Sequence, residues 1–456
     1  MDLAFLDQLA VPPGTLLEWA VSAEPGAAPD PTPPTANQTL HLSTGGPTTW
    51  LAAAFDVPGP IDEPALQAAF AAWLPRHDAL HCCFSDTGTG GPAVHLVADD
   101  EIRLTPLPAV PVSSGSELRE LLGERLDAAC APFTFPPYFL GAISRPETST
   151  VICGFDHAIC DAWSITVAVT ELTELYRVAS DDGHAAVATA AGRLPEPGSF
   201  LCYCTREAAA PRATTGPLLR DWHEFLQAAG NDLPHFPLDL GVPAGTLAPP
   251  AGDVRSILAP SSMAALHRKA RADGHSVFAT LLAAVAHTVA KLGGPGHTDL
   301  VFPVHTRREP RNHNTFGWLV ANAPARIRAE ADPAATVPGA DAAIRTGQRL
   351  AQVPALTVFD SMPTGLRRTR DGLFSVSYTD YRHLPGGSRS DTGRALPRRA
   401  TQISRSAPVD DVQLWFARTD DGLTLRTRFP DTGVARAVVD EFLCVLTDLV
   451  QTSARG

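Results

Sequence analysis

His157 and Asp161, four residues apart, are the pair in this chain whose types and spacing best suit chemistry. An imidazole with an ordinary pKa of roughly 6.5 can take and return a proton near neutral pH, and a neighbouring carboxylate can fix the local geometry. Plainer readings of the same residues stand beside this one. Asp161 sits where a helix N-cap belongs and could simply accept the first free N–H groups, while His157 also reads as an ordinary loop histidine. The H-x-x-x-D spacing is common, so spacing alone does not decide between them. Cys160, in the same loop, is a nucleophile by type but has no more local support than His157.

Two elements must position these groups. Thr150 to Phe155 is β-branched and apolar and predicts a buried strand. From about Ser164 to Ala179 the residues Ile165, Ala168, Val169, Leu172 and Tyr176 recur at helical spacing, which predicts a long amphipathic helix. Upstream, Pro137 to Ser144 pairs with the strand as a hairpin. Asp62 caps a helix that buries Leu66, Phe70, Trp73 and Leu74, and Ala23 to Ala36 reads as an extended connector. Downstream, Leu300 to Val304 is a buried strand leading to Arg307, and Leu373 to Tyr378 and Val412 to Ala417 alternate as strands. Val434 to about Gln451 closes the chain as a helix. Strands and helices mix in both halves, so the class is α/β, with mixed sheets of α+β character. Domains are expected at 1–182 and 216–456, with 183–215 as a linker where the pattern loosens into Pro, Gly and Ala.

The composition narrows the function. At 456 residues the chain is too long for one ordinary core, and 44% hydrophobic residues suffice for more than one. A formal charge of −13 argues against general nucleic-acid binding. That charge is uneven: nine arginines and three acids lie from Arg367 to Arg405, an excess that could draw an anionic ligand or partner or form a solvated loop. The eight cysteines form no C-x-x-C pair and read as reduced core residues, not as disulfides or a metal site. No apolar run reaches the roughly 18–20 residues of a membrane span, and the first residues lack the basic start of a secretion signal. The expected location is the cytoplasm.

Asp156-His157-Ala158-Ile159-Cys160-Asp161-Ala162 resembles the H-H-x-x-x-D-G signature of peptide-synthetase condensation domains and their CoA-dependent acyltransferase relatives. Arg76-His77-Asp78-Ala79-Leu80 is similar to that family's R-H-x-x-L segment, Pro303 to Arg307 to its strand ending in arginine, and Phe316 to Pro324 to the stretch that follows. Glu18-Trp19, Phe236 to Gly241 and Ser377 to Arg382 resemble the free-standing polyketide-associated acyltransferases of actinobacteria. The resemblance implies two chloramphenicol-acetyltransferase-like lobes in a V with a central tunnel. It implies an acyl donor that is a thioester on a phosphopantetheinyl carrier protein or CoA, a hydroxyl or amine acceptor, and no permanently bound cofactor. His157 would be the general base, and Asp161 would be held by Arg307 in a buried ion pair. Asp156, Ser164, Trp318 and Asp380 would line the passage or back the histidine. Two fused lobes already supply such a site, so a monomer is the expected state.

The chain departs from the pattern at Asp156, where the signature has its first histidine, and at Ala162, where it has glycine. Cys83 stands where relatives carry a second arginine after R-H-x-x-L. Cys83 weakens the expectation of a donor-phosphate clamp there, while Asp156 and Ala162 keep open an alternative, a degenerate member that serves as a docking platform for carrier proteins or other enzymes. A weaker alternative keeps the fold and turns it to intramolecular cyclisation.

Overall fold

The apolar, β-branched run ahead of His157 forms a strand, Thr148–Asp156, buried from its second residue to its last. That burial follows from its place inside a sheet, with Trp50–Pro58 and Tyr138–Ser144 antiparallel on either side. The expected hairpin is present, with Ala142 opposite Val151. In the computed structural model, residues 1–24, 26, 29–43, 49–86, 88, 91–210, 216–362, 365–390, 396–397 and 399–455 are described.

The chain divides into two units, and the first is made of Met1–Ala210, Thr306–Leu319 and Arg382–Arg405. Its main sheet runs Asp2–Phe5, Ala400–Ser404, Trp50–Pro58, Thr148–Asp156, Tyr138–Ser144, Gly14–Ser22 and Arg103–Pro106, with Val110–Val112 also on Gly14–Ser22. Helices cover both faces. On one, Ile152 and Phe139 meet Leu118, Leu122 and Leu126 of the helix Gly115–Ala129. A Cβ at Gly154 would lie 2.2 Å from Leu126 Cδ2, so only glycine lets that helix sit so close. On the other face, Val151, Cys153 and Phe155 pack with Leu66, Phe70 and Trp73 of Glu63–Trp73 and with Ile165, Val169 and Leu172 of Ala162–Asp182.

The second unit has a six-stranded mixed sheet in the order Pro250–Leu258, Gly422–Pro430, Gln413–Thr419, Ser375–Asp380, His297–His305, Val320–Arg328. Its core joins strand residues such as Leu300, Phe302, Val376, Leu414 and Leu425 to the helices Val277–Lys291, Pro333–Leu350 and Gly433–Arg455.

Three expectations need correction. The stretch 183–215 is not a bare linker: His184–Arg193 and Phe200–Ala209 are helices whose Val187, Ala191, Phe200 and Cys204 enter the first unit's core, and residues 211–215 lie outside the described residues. The units are not contiguous in sequence either, because the loop 306–319 belongs to the first unit although it joins two strands of the second. The basic stretch 367–405 is not one solvated loop, since it includes the strands Ser375–Asp380 and Ala400–Ser404 and its residues fall in both units. Arg370 donates to the Asp410 carbonyl at 2.7 Å, Arg405 pairs with Asp127 at 2.6 Å, and Arg394 and Arg398 lie outside the described residues.

Candidate active site

After Asp156 the chain turns sharply. The His157 N–H donates to the Thr49 carbonyl at 2.8 Å, and the Ile159 N–H closes back on the Asp156 carbonyl at 3.1 Å. Asp161 then caps the helix Ala162–Asp182, accepting from the Ser164 N–H at 2.8 Å. The site loop is therefore a five-residue link between a central strand and a mostly buried helix.

Asp161 carries the cap and the ion pair together. Arg307 Nη1 reaches its Oδ2 at 2.5 Å and Nη2 its Oδ1 at 2.9 Å, with both side chains buried. The Leu319 N–H donates to Oδ2 at 3.0 Å and the Ser164 hydroxyl to Oδ1 at 2.8 Å, so both carboxylate oxygens are fully engaged. Arg307 Nη2 also donates to the carbonyls of Thr315 and Gly317 at 3.3 and 3.2 Å. Ser164 Oγ lies 2.8 Å from the Gly317 carbonyl and 3.0 Å from the Gly317 N–H. Gly317 needs to be glycine: its φ is +152° and a Cβ would come within 2.3 Å of Phe200 Cδ2. Its neighbour Trp318 is thereby held against His157, ring centres 4.2 Å apart.

The Asp156 side chain, fully buried, accepts from the Ala158 N–H at 2.8 Å and faces His41 Nε2 at 3.1 Å. Burial, followed by the neighbouring His41, holds His157 below the ordinary imidazole range, and its own carbonyl, Asp156 and Asp161 pull less strongly the other way. His157 is therefore a neutral imidazole at neutral pH, ready to accept a proton. Cys160 does not suit a nucleophile: it is fully buried, and burial first, then Asp161 and Asp156, push its thiol well up.

Asp156, His157, Asp161, Ser164, Arg307 and Trp318 thus come together in the first unit. Asp380 ends a strand of the second unit, where it lies 3.6 Å from Arg418 Nη1. Arg76 and His77, read as a family segment, have a structural task. Both bind Glu171 of the site helix, Arg76 Nη2 at 2.9 Å and His77 Nε2 at 2.8 Å. The sequence reading missed His41. It lies on a short helix, Ala36–Ser43, that begins where the Pro-rich connector was expected to end. A sequence signal for that helix exists in Thr35-Ala36-Asn37-Gln38, a capping box: Thr35 Oγ1 accepts from the Gln38 N–H at 3.1 Å and Gln38 Oε1 from the Thr35 N–H at 2.8 Å.

This geometry has counterparts in known proteins. Residues 38–376 match the family described as the condensation domain. The chain belongs to that family. The condensation-domain chain is 25% identical over 413 residues to acyltransferase PapA3 of Mycobacterium tuberculosis (strain CDC 1551 / Oshkosh), covering 88% of this chain and 82% of that protein. It is 26% identical over 422 residues to trehalose-2-sulfate acyltransferase PapA2 of Mycobacterium bovis (strain BCG / Pasteur 1173P2), covering 88% and 84%. The solved structure of the PapA2 acyl transferase matches its fold with a TM-score of 0.82 at 22% identity, covering 100% of both chains. Ala162, where the family signature has glycine, is the first residue of the helix and its backbone is not in the left-handed region that favours glycine. Among the described residues no helix is long and apolar enough to cross a membrane.

Proposed function

We propose that this acyltransferase moves an acyl group from a thioester, on CoA or on the phosphopantetheine of a carrier protein, to a hydroxyl or amine acceptor, with His157 as general base. The observation that carries the reading is a neutral imidazole at the end of a central strand, on a loop fixed through Asp161 to Arg307. The acceptor O–H or N–H gives its proton to His157 as its oxygen or nitrogen bonds to the thioester carbonyl carbon. The tetrahedral oxyanion collapses, the C–S bond breaks, and the departing thiolate takes the proton back from the imidazolium. Asp161 and Arg307 shape the loop and take no part in proton transfer. Kinship with a protein named for acylating trehalose-2-sulfate favours a hydroxyl acceptor over an amine.

The test offers the purified chain acyl-CoA and acyl-carrier-protein donors with polyol and amine acceptors, following free thiol with a thiol reagent and product by mass. One thiol released per acylated acceptor is expected, and only when an acceptor is present. Thiol release that ignores the acceptor, or no transfer from either thioester, overturns the reading.

A further inference from the structure

Asp156 is held by more than its own loop. A fully buried carboxylate is costly unless hydrogen-bonded and compensated. The loop offers it the Ala158 N–H at 2.8 Å. A second partner comes from another element, His41 Nε2 at 3.1 Å from the same Oδ1. Three residues before His41, on the same face of its helix, Gln38 donates to the Ala158 carbonyl at 2.8 Å. The helix Ala36–Ser43 therefore grips the loop on both sides of His157, at the residue before it and the residue after it.

The helix is itself anchored. Its capping box closes the first turn, and the Ala36 N–H donates to Glu207 Oε1 at 2.8 Å. Glu207 accepts from the Tyr203 hydroxyl at 3.0 Å, and Tyr203 accepts from Thr306 at 2.9 Å, one residue before Arg307. The His41 ring centre is 6.3 Å from that of His157 and 5.8 Å from that of Trp318. Among the described residues, the charged or titratable groups that bear on His157 are His41 from this helix and Asp156 and Asp161 from its own loop, and Asp161 is neutralised by Arg307.

We propose that His41 is a positioning residue for the reaction: paired with Asp156, it holds the loop that carries His157 and places a second imidazole beside that ring. The proposal rests on His157 being the base. The His41 ring disfavours a cation on His157, while an Asp156 carboxylate that no longer faces His41 favours one. Removing the His41 imidazole acts through both routes in the same direction, towards easier protonation of His157.

The test uses His41→Gln, which keeps a donor near Asp156 but cannot be charged, with His41→Ala, Asp156→Asn and the double variant His41→Ala/Asp156→Asn. NMR titration of the His157 imidazole, which needs no substrate, is read beside kcat and KM. His41→Gln is expected to move the His157 titration to higher pH. His41→Ala is expected to lower kcat on the order of 10- to 100-fold with KM little changed, the size of effect that misplacing a catalytic group has elsewhere. The double variant should be no slower than the slower single variant, because both act through one pair. An unmoved His157 titration in His41→Gln, or losses that simply multiply in the double variant, overturns the proposal. His157→Ala separates the two claims: if it abolishes transfer while the titration ignores His41, only the positioning pair falls. If it leaves transfer intact, the base reading falls, whatever the titration shows.

Discussion

Replacing Arg307 by methionine should unfold the site more readily than almost any other single change in the first unit. The substitution keeps much of the apolar stem but removes both hydrogen bonds to Asp161, at 2.5 and 2.9 Å, and those to the Thr315 and Gly317 carbonyls. Asp161 is left buried with the Ser164 N–H and hydroxyl and the Leu319 N–H as its remaining donors. Stranding a buried charge in this way costs roughly 3–5 kcal/mol. Arg307→Met/Asp161→Asn removes both charges while keeping an oxygen to accept at the helix cap, so its cost should fall short of the sum of the singles by about 2 kcal/mol or more. Urea denaturation of the four proteins at pH 7 completes the cycle. A cost below about 1 kcal/mol for Arg307→Met, or single costs that add within about 0.5 kcal/mol, refutes the argument. Arg307→Lys should behave nearer to methionine than to arginine, because an ammonium cannot make the paired contacts.

Other outcomes follow from the same structure. Burial pushes the Glu171 carboxyl up, but His77 and Arg76 more than offset it and hold it below its ordinary 4.5. Its contribution to stability is thus fully present above pH 4.5 and is lost as pH falls through the depressed value, and Glu171→Gln should flatten that acid limb in urea midpoints measured from pH 7 downward. In the second unit, burial lowers His235 but Asp411 and Asp232 outweigh it, so its pKa lies above 6.5. That pair's stabilisation is complete below pH 6.5 and disappears as pH rises through the folded value, a slope that Asp411→Asn should reduce. Gly317→Ala should cost about 1–3 kcal/mol by denaturation, from the left-handed backbone and the clash with Phe200, and should slow transfer by loosening Trp318.

The strand–loop–helix around His157 was legible because its signals are local: a β-branched run, an N-cap aspartate and an apolar stripe at helical spacing. Asp161 answered to the cap reading and the ion-pair reading at once, since one carboxylate has room for both sets of donors. The membership of 306–319 in the first unit was not legible. It depends on Arg307 meeting a carboxylate 146 positions earlier in the chain, and on Phe316 packing against Phe155 at 4.9 Å. His41 was hidden for a different reason. Its helix of eight residues is too short for a periodic pattern and follows a Pro-rich run, leaving the Thr35–Gln38 box as its one local mark. The pairing of Asp156 with His41 could not be read from neighbours in sequence, because His41 lies 115 positions away.

In the proposed reaction the His157 ring moves the proton. The direct measurement is the rate of acyl transfer by His157→Gln, with donor and acceptor saturating and the variant's denaturation midpoint matched to that of the unaltered chain. The predicted result is a fall of about 10²- to 10⁴-fold in kcat, the usual weight of a positioned general base. A folded His157→Gln that turns over within a few-fold of the unaltered chain contradicts it.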